Sequence, residues 1–166
     1  MKVLVIGTWN ESISKQFELD AQIVGKYLAK RKHSLVASPS SGIQGLVAKH
    51  YKEAGGNQFI GFYPDLDKME SIGEKVLVEP DKPIYTNEDY PVRNILQLRE
   101  GDKILALTGG TGTLTESIVA VNDYNTPLLY LHGSSQIIDG FLNLDPAFAE
   151  KIYYSKNISE ILMELD

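Results

Sequence analysis

The sequence contains no cysteine, a single tryptophan and no long apolar run. Without cysteine, the chain forms no disulfide and offers neither a thiolate metal ligand nor a cysteine nucleophile. No apolar stretch approaches the roughly 20 residues of a membrane-spanning helix, and Met1-Lys2 leads into a strand-like run rather than a signal peptide. We therefore expect a cytoplasmic protein with no membrane partner.

Basic residues are also few. Sixteen Lys and Arg stand against 22 Asp and Glu, which gives a net charge of −6. A negative chain is disfavoured for nonspecific binding to the phosphate backbone of nucleic acid, so we expect no nucleic-acid partner.

Strand-like and helix-like segments alternate along the chain. Strands are predicted at residues 2–6, 34–37, 58–63, 103–107, 128–131 and 152–154, and a further apolar run covers 75–78. Helices are predicted from Asn10 or Ser12 through Leu28, from Gly42 to Gly55, from Asn87 or Glu88 to about Glu100, from Leu114 to Asp123, from Gln136 to Leu142 and from Ile158 to Leu165. This alternation predicts an α/β fold: a Rossmann-like, doubly wound, mainly parallel sheet with helices on both faces, forming one nucleotide-binding domain over residues 1–166.

A glycine-rich turn follows the strand that begins at Lys103. It comprises Gly109, Gly110, Thr111, Gly112 and Thr113, and it leads into a helix. The free backbone N–H groups and the positive dipole end of such a helix face the same point, which predicts a phosphate site. A P-loop requires a Lys after its last glycine, but Thr113 follows Gly112 here. A dinucleotide-binding fingerprint requires a third glycine, but Thr115 occupies that position. The turn therefore fits neither motif.

Glu116 has two interpretations on spacing alone. Thr113-Leu114-Thr115-Glu116 matches a capping box, in which Glu116 only closes the start of the helix. The alternative is a catalytic carboxylate beside the phosphate.

Other small and polar residues follow the remaining strands. Ligands of such sheets bind at the carboxyl ends of the strands, where the sequence places Gly7, Thr8, Trp9, Ser40, Ser41, Gly42 and Tyr63. Trp9 either packs at the end of the sheet or has a functional role, in which it stacks on a base or shapes the mouth of the pocket. The three histidines show no metal-ligand spacing, and we predict no metal and no cofactor. His132, which follows a strand, is the only histidine that is a candidate for the cleft.

Three segments of the chain resemble the LOG, or "lysine decarboxylase-like", family. The family turn P-G-G-x-G-T-x-x-E corresponds to residues 108–116, an Arg on the preceding helix corresponds to Arg93, and the motif G-G-G-x-x-G-L-M corresponds to residues 40–47. Without the resemblance, Arg93 would be expected to solvate a helix face or to pair with Glu88 or Asp89.

The resemblance implies a phosphoribohydrolase, which cleaves the N-glycosidic bond of a nucleoside 5′-monophosphate to free base and ribose 5-phosphate. Glu116 would stabilise the cationic sugar or orient water, Arg93 would bind the nucleotide and support Glu116, and the turn would hold the 5′-phosphate. The resemblance also implies a homodimer or homotetramer, consistent with apolar and aromatic residues around the Arg93 helix: Tyr85, Tyr90, Ile95 and Leu98.

The chain departs from the family pattern at positions that bear on the nucleotide site. Thr108 replaces the Pro, Ser40 and Ser41 replace two glycines, and Asn94 replaces a Lys. An alternative therefore stays open: a non-catalytic binder or carrier of a nucleotide or a phosphorylated pterin, as in molybdenum-cofactor carrier-like proteins. The segment from Pro127 to Gly133 resembles those proteins equally well.

Overall fold

The computed structural model describes residues 1–166, which build a seven-stranded sheet between two layers of helices. The strands are β1 (Lys2–Ile6), β2 (Ser34–Ala37), β3 (Phe59–Tyr63), β4 (Lys82–Tyr85), β5 (Lys103–Ala106), β6 (Leu128–Leu131) and β7 (Tyr153–Ser155). The helices are α1 (Glu11–Gln16), α2 (Glu18–Lys30), α3 (Ile43–Glu53), α4 (Leu66–Ser71), α5 (Tyr90–Leu98), α6 (Thr111–Asn122), α7 (Gln136–Leu144), α8 (Pro146–Ala149) and α9 (Ile158–Met163).

Alternate side chains of the central strands enter two separate cores, because successive residues of a strand point to opposite faces of the sheet. Val3 and Val5 of β1 pack in the core beneath α2, α3 and α9. Leu4 and Ile6 pack in the core beneath α5 to α8. Burial on both faces explains why these strands read as continuous apolar runs, and it confirms the predicted doubly wound fold.

The strand order is β4-β3-β2-β1-β5-β6-β7, and every pair is parallel. The chain builds outward from β1 in one direction as far as β4 and then crosses to β5, on the other side of β1. The connection that follows β1 therefore leads to β2 on one side, and the connection that follows β5 leads to β6 on the other side. In open α/β sheets, this switch point is where the carboxyl ends of the strands leave a crevice.

Several predicted boundaries were wrong. The first helix is divided at Phe17, which has φ −111° and ψ 22° and ends α1 before α2 begins. The fifth helix begins at Tyr90, because the side chain of Asp89, rather than Asn87 or Glu88, accepts the hydrogen bond from the Val92 N–H.

The sheet also has an edge strand that the sequence analysis missed. The apolar run at 75–78 forms only an isolated antiparallel bridge, between Val76 and Ser40. The strand is β4, whose residues are mostly exposed and include Pro83. A proline is tolerated there because an edge strand leaves one row of N–H groups unpaired.

None of the nine helices combines the length and the apolar character needed to cross a membrane.

Candidate functional site

The ends of β1 and β5 meet at the switch point. The N–H of Thr8 donates to the carbonyl of Thr108 (2.8 Å) immediately beyond the paired strands. Gly7 is required for this close approach, since a Cβ there would lie 2.6 Å from the Thr108 oxygen and 2.4 Å from Ile43 Cγ2. The Gly7-Thr8 turn is thus held directly against the glycine turn that follows β5.

The third loop at this edge is pressed against the first. Gly42 has φ +96°, and a Cβ on it would lie 2.6 Å from both the Thr8 oxygen and Trp9 Cα. Gly42 and Gly7 therefore have a packing reason for being glycine, whatever ligand they face. Their role in nucleotide binding stays a prediction.

The N-terminus of α6 is open. Gly110 is its N-cap and supplies no side chain, and the backbone N–H groups of Gly110, Thr111, Gly112 and Thr113 donate to no acceptor in the protein. A Cβ on Gly110 or Gly112 would have no atom within 4 Å, whereas one on Gly109 would strike the Thr113 side chain. Unpaired amides with free space in front of them, at the positive end of a 12-residue helix, have the geometry and the polarity that suit an anion.

This start of α6 contradicts the capping interpretation of Glu116. The predicted N-cap, Thr113, lies inside the helix, where its carbonyl accepts a hydrogen bond from the Ser117 hydroxyl (2.8 Å). Glu116 is in the second turn and makes no hydrogen bond to the Thr113 N–H. The apolar pattern of α6 becomes visible only at Leu114, which is why the sequence analysis began the helix too late.

Glu116 is instead a buried carboxyl group. Its side chain is largely enclosed, with only 8% of the residue exposed, and no other residue donates a hydrogen bond to it. Burial raises the pKa of Glu116 to about 7, although the nearby charge of Arg93 lowers it in part. A carboxyl group that titrates near neutral pH is suited to proton transfer.

Arg93 lies on α5 and faces Glu116 across the contact between α5 and α6. It is 5% exposed and donates through Nη1 to the Phe62 carbonyl (3.2 Å) and to Gln97 Oε1 (3.4 Å), while its Nε has no partner. Burial lowers the pKa of Arg93, and the charge of Glu116 raises it. Arg93 therefore neither solvates a helix face nor pairs with Glu88 or Asp89. It is a buried cation with an unused donor.

Two glutamines that the sequence analysis missed orient Arg93. Gln97 Nε2 donates to Gln44 Oε1 (2.9 Å), which also accepts from the N–H of Ser38 (2.6 Å). The Ser38 N–H and Arg93 can only donate, so both amides have one permitted orientation along this chain. The connection joins α5 to the end of β2, and its only sequence signal is the spacing of four residues between Arg93 and Gln97.

One of the two predicted serines, Ser40, lies under a crossing segment. Ser40 is buried beneath residues 73–79, since it bridges Val76, and the N–H of Leu77 donates to the Pro39 carbonyl (2.9 Å). Ser40 Oγ has no partner, and Ser41 is partly exposed. The hydroxyl of Tyr90 donates to the carboxylate of Glu74 and so ties this segment to α5.

Trp9 and His132 lie at the same edge of the sheet. Trp9 is 81% exposed, which rules out the packing role that the sequence left open. His132 follows β6 and stacks on Tyr154 with ring centroids 5.5 Å apart. Its Nε2 lies 3.8 Å from Asp139 Oδ1.

The burial of Glu116 predicts a pH-dependent stability effect. The folded protein binds more protons than the unfolded chain between the ordinary pKa of 4.5 and about 7, so ionised Glu116 destabilises the fold increasingly across that window. Glu116→Gln should therefore raise the free energy of unfolding above pH 7, on the order of 3 kcal/mol, and change it little below pH 4.5. Urea unfolding at both pH values measures this. An equal effect at the two pH values would contradict the buried carboxylate.

Seven parallel strands in this order, with an open helix N-terminus at the switch point, define a Rossmann-like α/β protein. The particular family follows from a match over nearly the whole chain. Residues 1–162 match the model of the SLOG cluster4 family, and the chain belongs to that family. This confirms the resemblance to LOG proteins. A comparison with curated proteins gave no match.

Solved structures share the whole fold. TM1055, a structural-genomics target, superposes with a TM-score of 0.82 at 21% identity and covers 99% of this chain and 97% of its own. The Moco carrier protein from Chlamydomonas reinhardtii gives 0.78 at 23% identity, with 99% and 94% covered. DNA processing protein A from Helicobacter pylori, described as binding single-stranded DNA, gives 0.65 at 19% identity, with 99% and 80% covered.

Proposed function

We propose that this protein binds a nucleoside 5′-monophosphate and hydrolyses its N-glycosidic bond, which releases the free base and ribose 5-phosphate. The observation that carries the proposal is the Glu116 carboxyl group, buried beside Arg93 without a hydrogen-bond donor and shifted to a pKa of about 7. It lies in the second turn of α6, whose N-terminal amides have no partner in the protein.

The chemistry requires an anion site and a carboxylate close together. The amides of Gly110–Thr113 would hold the 5′-phosphate, and Arg93 would use its free donor on the nucleotide. Ionised Glu116 would stabilise the positive charge that develops on the ribose and accept a proton from the attacking water. The C–N bond breaks with its electron pair going to the base, which takes up a proton as water is added to the sugar.

The direct test is an assay of the wild-type protein with a panel of nucleoside monophosphates, in which released ribose 5-phosphate is measured. Because Glu116 must be ionised, the rate should rise with pH and level off above about 7. Failure to release ribose 5-phosphate from every member of the panel would remove the hydrolase proposal.

A second candidate is a carrier that binds a phosphorylated pterin without turnover. It is favoured by the similarity to the Moco carrier protein, which covers 99% of this chain, and by Ser40, Ser41, Thr108 and Asn94 in place of the family residues. Under either candidate the ligand is a phosphorylated small molecule. The net charge of −6 supports such a ligand over the single-stranded DNA named for the more distant DNA processing protein A.

We also propose that the protein is a homodimer or homotetramer assembled through α5 and its surroundings. Leu98, which the sequence analysis expected at this surface, is fully buried in the core beneath α5, but Val92 and Tyr85 are exposed. A depression of about 440 Å³ lies between β4 and the C-terminal part of α5, lined by Phe62, Ile84, Thr86, Leu96, Arg99 and Glu100.

Sedimentation equilibrium should therefore give a particle heavier than the 18.4 kDa chain. Val92→Asp should shift it toward the monomer, because a charge would have to lose its hydration at the contact. Lys151→Asp is the control, because Lys151 is exposed beside β7, at the other edge of the sheet from β4. It should leave the particle mass unchanged. A wild-type particle of 18.4 kDa at micromolar concentration would contradict the assembly.

A further inference from the structure

Trp9 is exposed although the backbone on both sides of it is held in place. The side chain of Asn10 accepts from the N–H of Ile13 (3.1 Å), and Thr8 Oγ1 accepts from the N–H of Asn10 (3.2 Å). The N–H of Ile43 donates to the Thr8 carbonyl (2.9 Å). The largest apolar side chain of the protein is thus presented to solvent from a rigid turn, and 81% of the residue stays uncovered.

The position of Trp9 follows from the contact between the loops that leave β1 and β5. Ile6 of β1 pairs with Ala106 of β5, and beyond the paired strands the Thr8 N–H donates to the Thr108 carbonyl (2.8 Å). Trp9 directly follows Thr8, and Thr108 stands two residues before Gly110, the N-cap of α6. Trp9 therefore leaves the sheet beside the loop that leads to the open amides of Gly110–Thr113. On its other side Trp9 abuts Gly42, where only a glycine fits.

We propose that Trp9 is the stacking surface for a planar heteroaromatic ring on the ligand whose phosphate binds at Gly110–Thr113. The inference rests on the proposed phosphate site and deepens it, since it selects ligands that carry both a ring and a phosphate. Nucleoside monophosphates and pterin phosphates share that chemistry, whereas a simple sugar phosphate lacks it. An exposed aromatic side chain beside an anion site suits such a ligand, because every base or pterin offers a flat π face.

The experiment uses the only tryptophan of the chain as its own reporter. AMP, a pterin phosphate and ribose 5-phosphate are titrated into the full-length Glu116→Gln protein, in which the nucleotide stays intact. Indole fluorescence is excited where the nine tyrosines do not absorb, and calorimetry supplies the dissociation constants. We expect AMP or the pterin phosphate to change the fluorescence and ribose 5-phosphate to bind without changing it.

Two variants complete the test. Trp9→Ala should weaken binding of the ring-bearing phosphate by about 5- to 150-fold, the range for one lost base–aromatic stack, while Trp9→Phe retains most of the affinity. Ribose 5-phosphate should bind all three proteins equally. A stronger response to AMP than to the pterin phosphate identifies a nucleotide ring, and the reverse identifies a pterin.

The outcomes separate the two proposals. If ribose 5-phosphate binds, but Trp9→Ala binds both ring-bearing phosphates as tightly as before, the stacking role of Trp9 is wrong and the phosphate site stands. If none of the three probes binds, the phosphate site and the stacking role fall together. Fluorescence of the free protein that shifts with protein concentration would show Trp9 covered by a second copy, which also overturns the proposal.

Discussion

Glu116→Gln is expected to lower the rate of ribose 5-phosphate release by roughly 10²-fold or more, the usual scale of a lost acid–base or electrostatic group. Glutamine has nearly the shape of the glutamic acid that already fits the buried site, so the fold is retained. It cannot become negatively charged, however, and charge is what a cationic sugar or an attacking water requires. The assay compares wild type and variant at a pH above 7, where Glu116 is mainly ionised.

The matched control is Glu70→Gln, which removes an exposed carboxylate from α4 and should leave the rate unchanged. Equal turnover by wild type and Glu116→Gln would show that Glu116 is not the catalytic carboxylate. A wild-type protein that hydrolyses no nucleoside monophosphate, yet binds AMP or a pterin phosphate tightly, would favour the carrier over the hydrolase.

Gly112→Val is expected to weaken binding of AMP by about two orders of magnitude, the scale of one or two lost hydrogen bonds to a charged group. Gly112 is the second residue of α6, and a helical Cβ tilts toward the N-terminus of its helix. The valine side chain would therefore enter the space in front of the free amides. Calorimetry with AMP measures the loss.

The structure separates this effect from misfolding. A Cβ on Gly112 meets no protein atom within 4 Å, so the variant should fold. Gly140→Val is the matched control, since Gly140 is also helical and also has nothing within 4 Å, but it lies within α7. Unchanged AMP affinity in a folded Gly112→Val protein would place the phosphate elsewhere.

Features with a local cause were predicted well from the sequence. The central strands were predicted because a strand buried on both faces is apolar at its buried positions, as β1 is from Val3 to Ile6. The glycine turn was predicted because its glycines stand directly between a strand pattern and a helix pattern. A chain that passes from a strand to a helix over so few residues must turn there. The start of α6 was missed because its first turn carries no apolar residue and its N-cap, Gly110, carries no side chain.

Features that depend on long-range packing were not predictable in the same way. The edge strand β4 is short and mostly exposed, so its pattern resembles a loop, and only its pairing with β3 makes it a strand. The hydrogen bond between Gln97 and Gln44 joins residues 53 positions apart, and the sequence around either residue does not indicate its partner. The burial of Ser40 likewise depends on the segment that crosses it at Val76.

The sequence by itself determined the alternation of strands and helices, the glycine turn after β5 and the family resemblance, because each depends on residues that are close in the chain. It left Glu116 between a helix cap and a catalytic carboxylate, Arg93 between a helix surface and the nucleotide site, and Trp9 between packing and a ligand contact. Only the tertiary structure showed that Glu116 and Arg93 are buried and that Trp9 is exposed. The charge state of a carboxyl group, the hydration of a guanidinium and the exposure of an indole depend on which distant atoms surround them, and those surroundings form only when the helices and loops pack on the sheet.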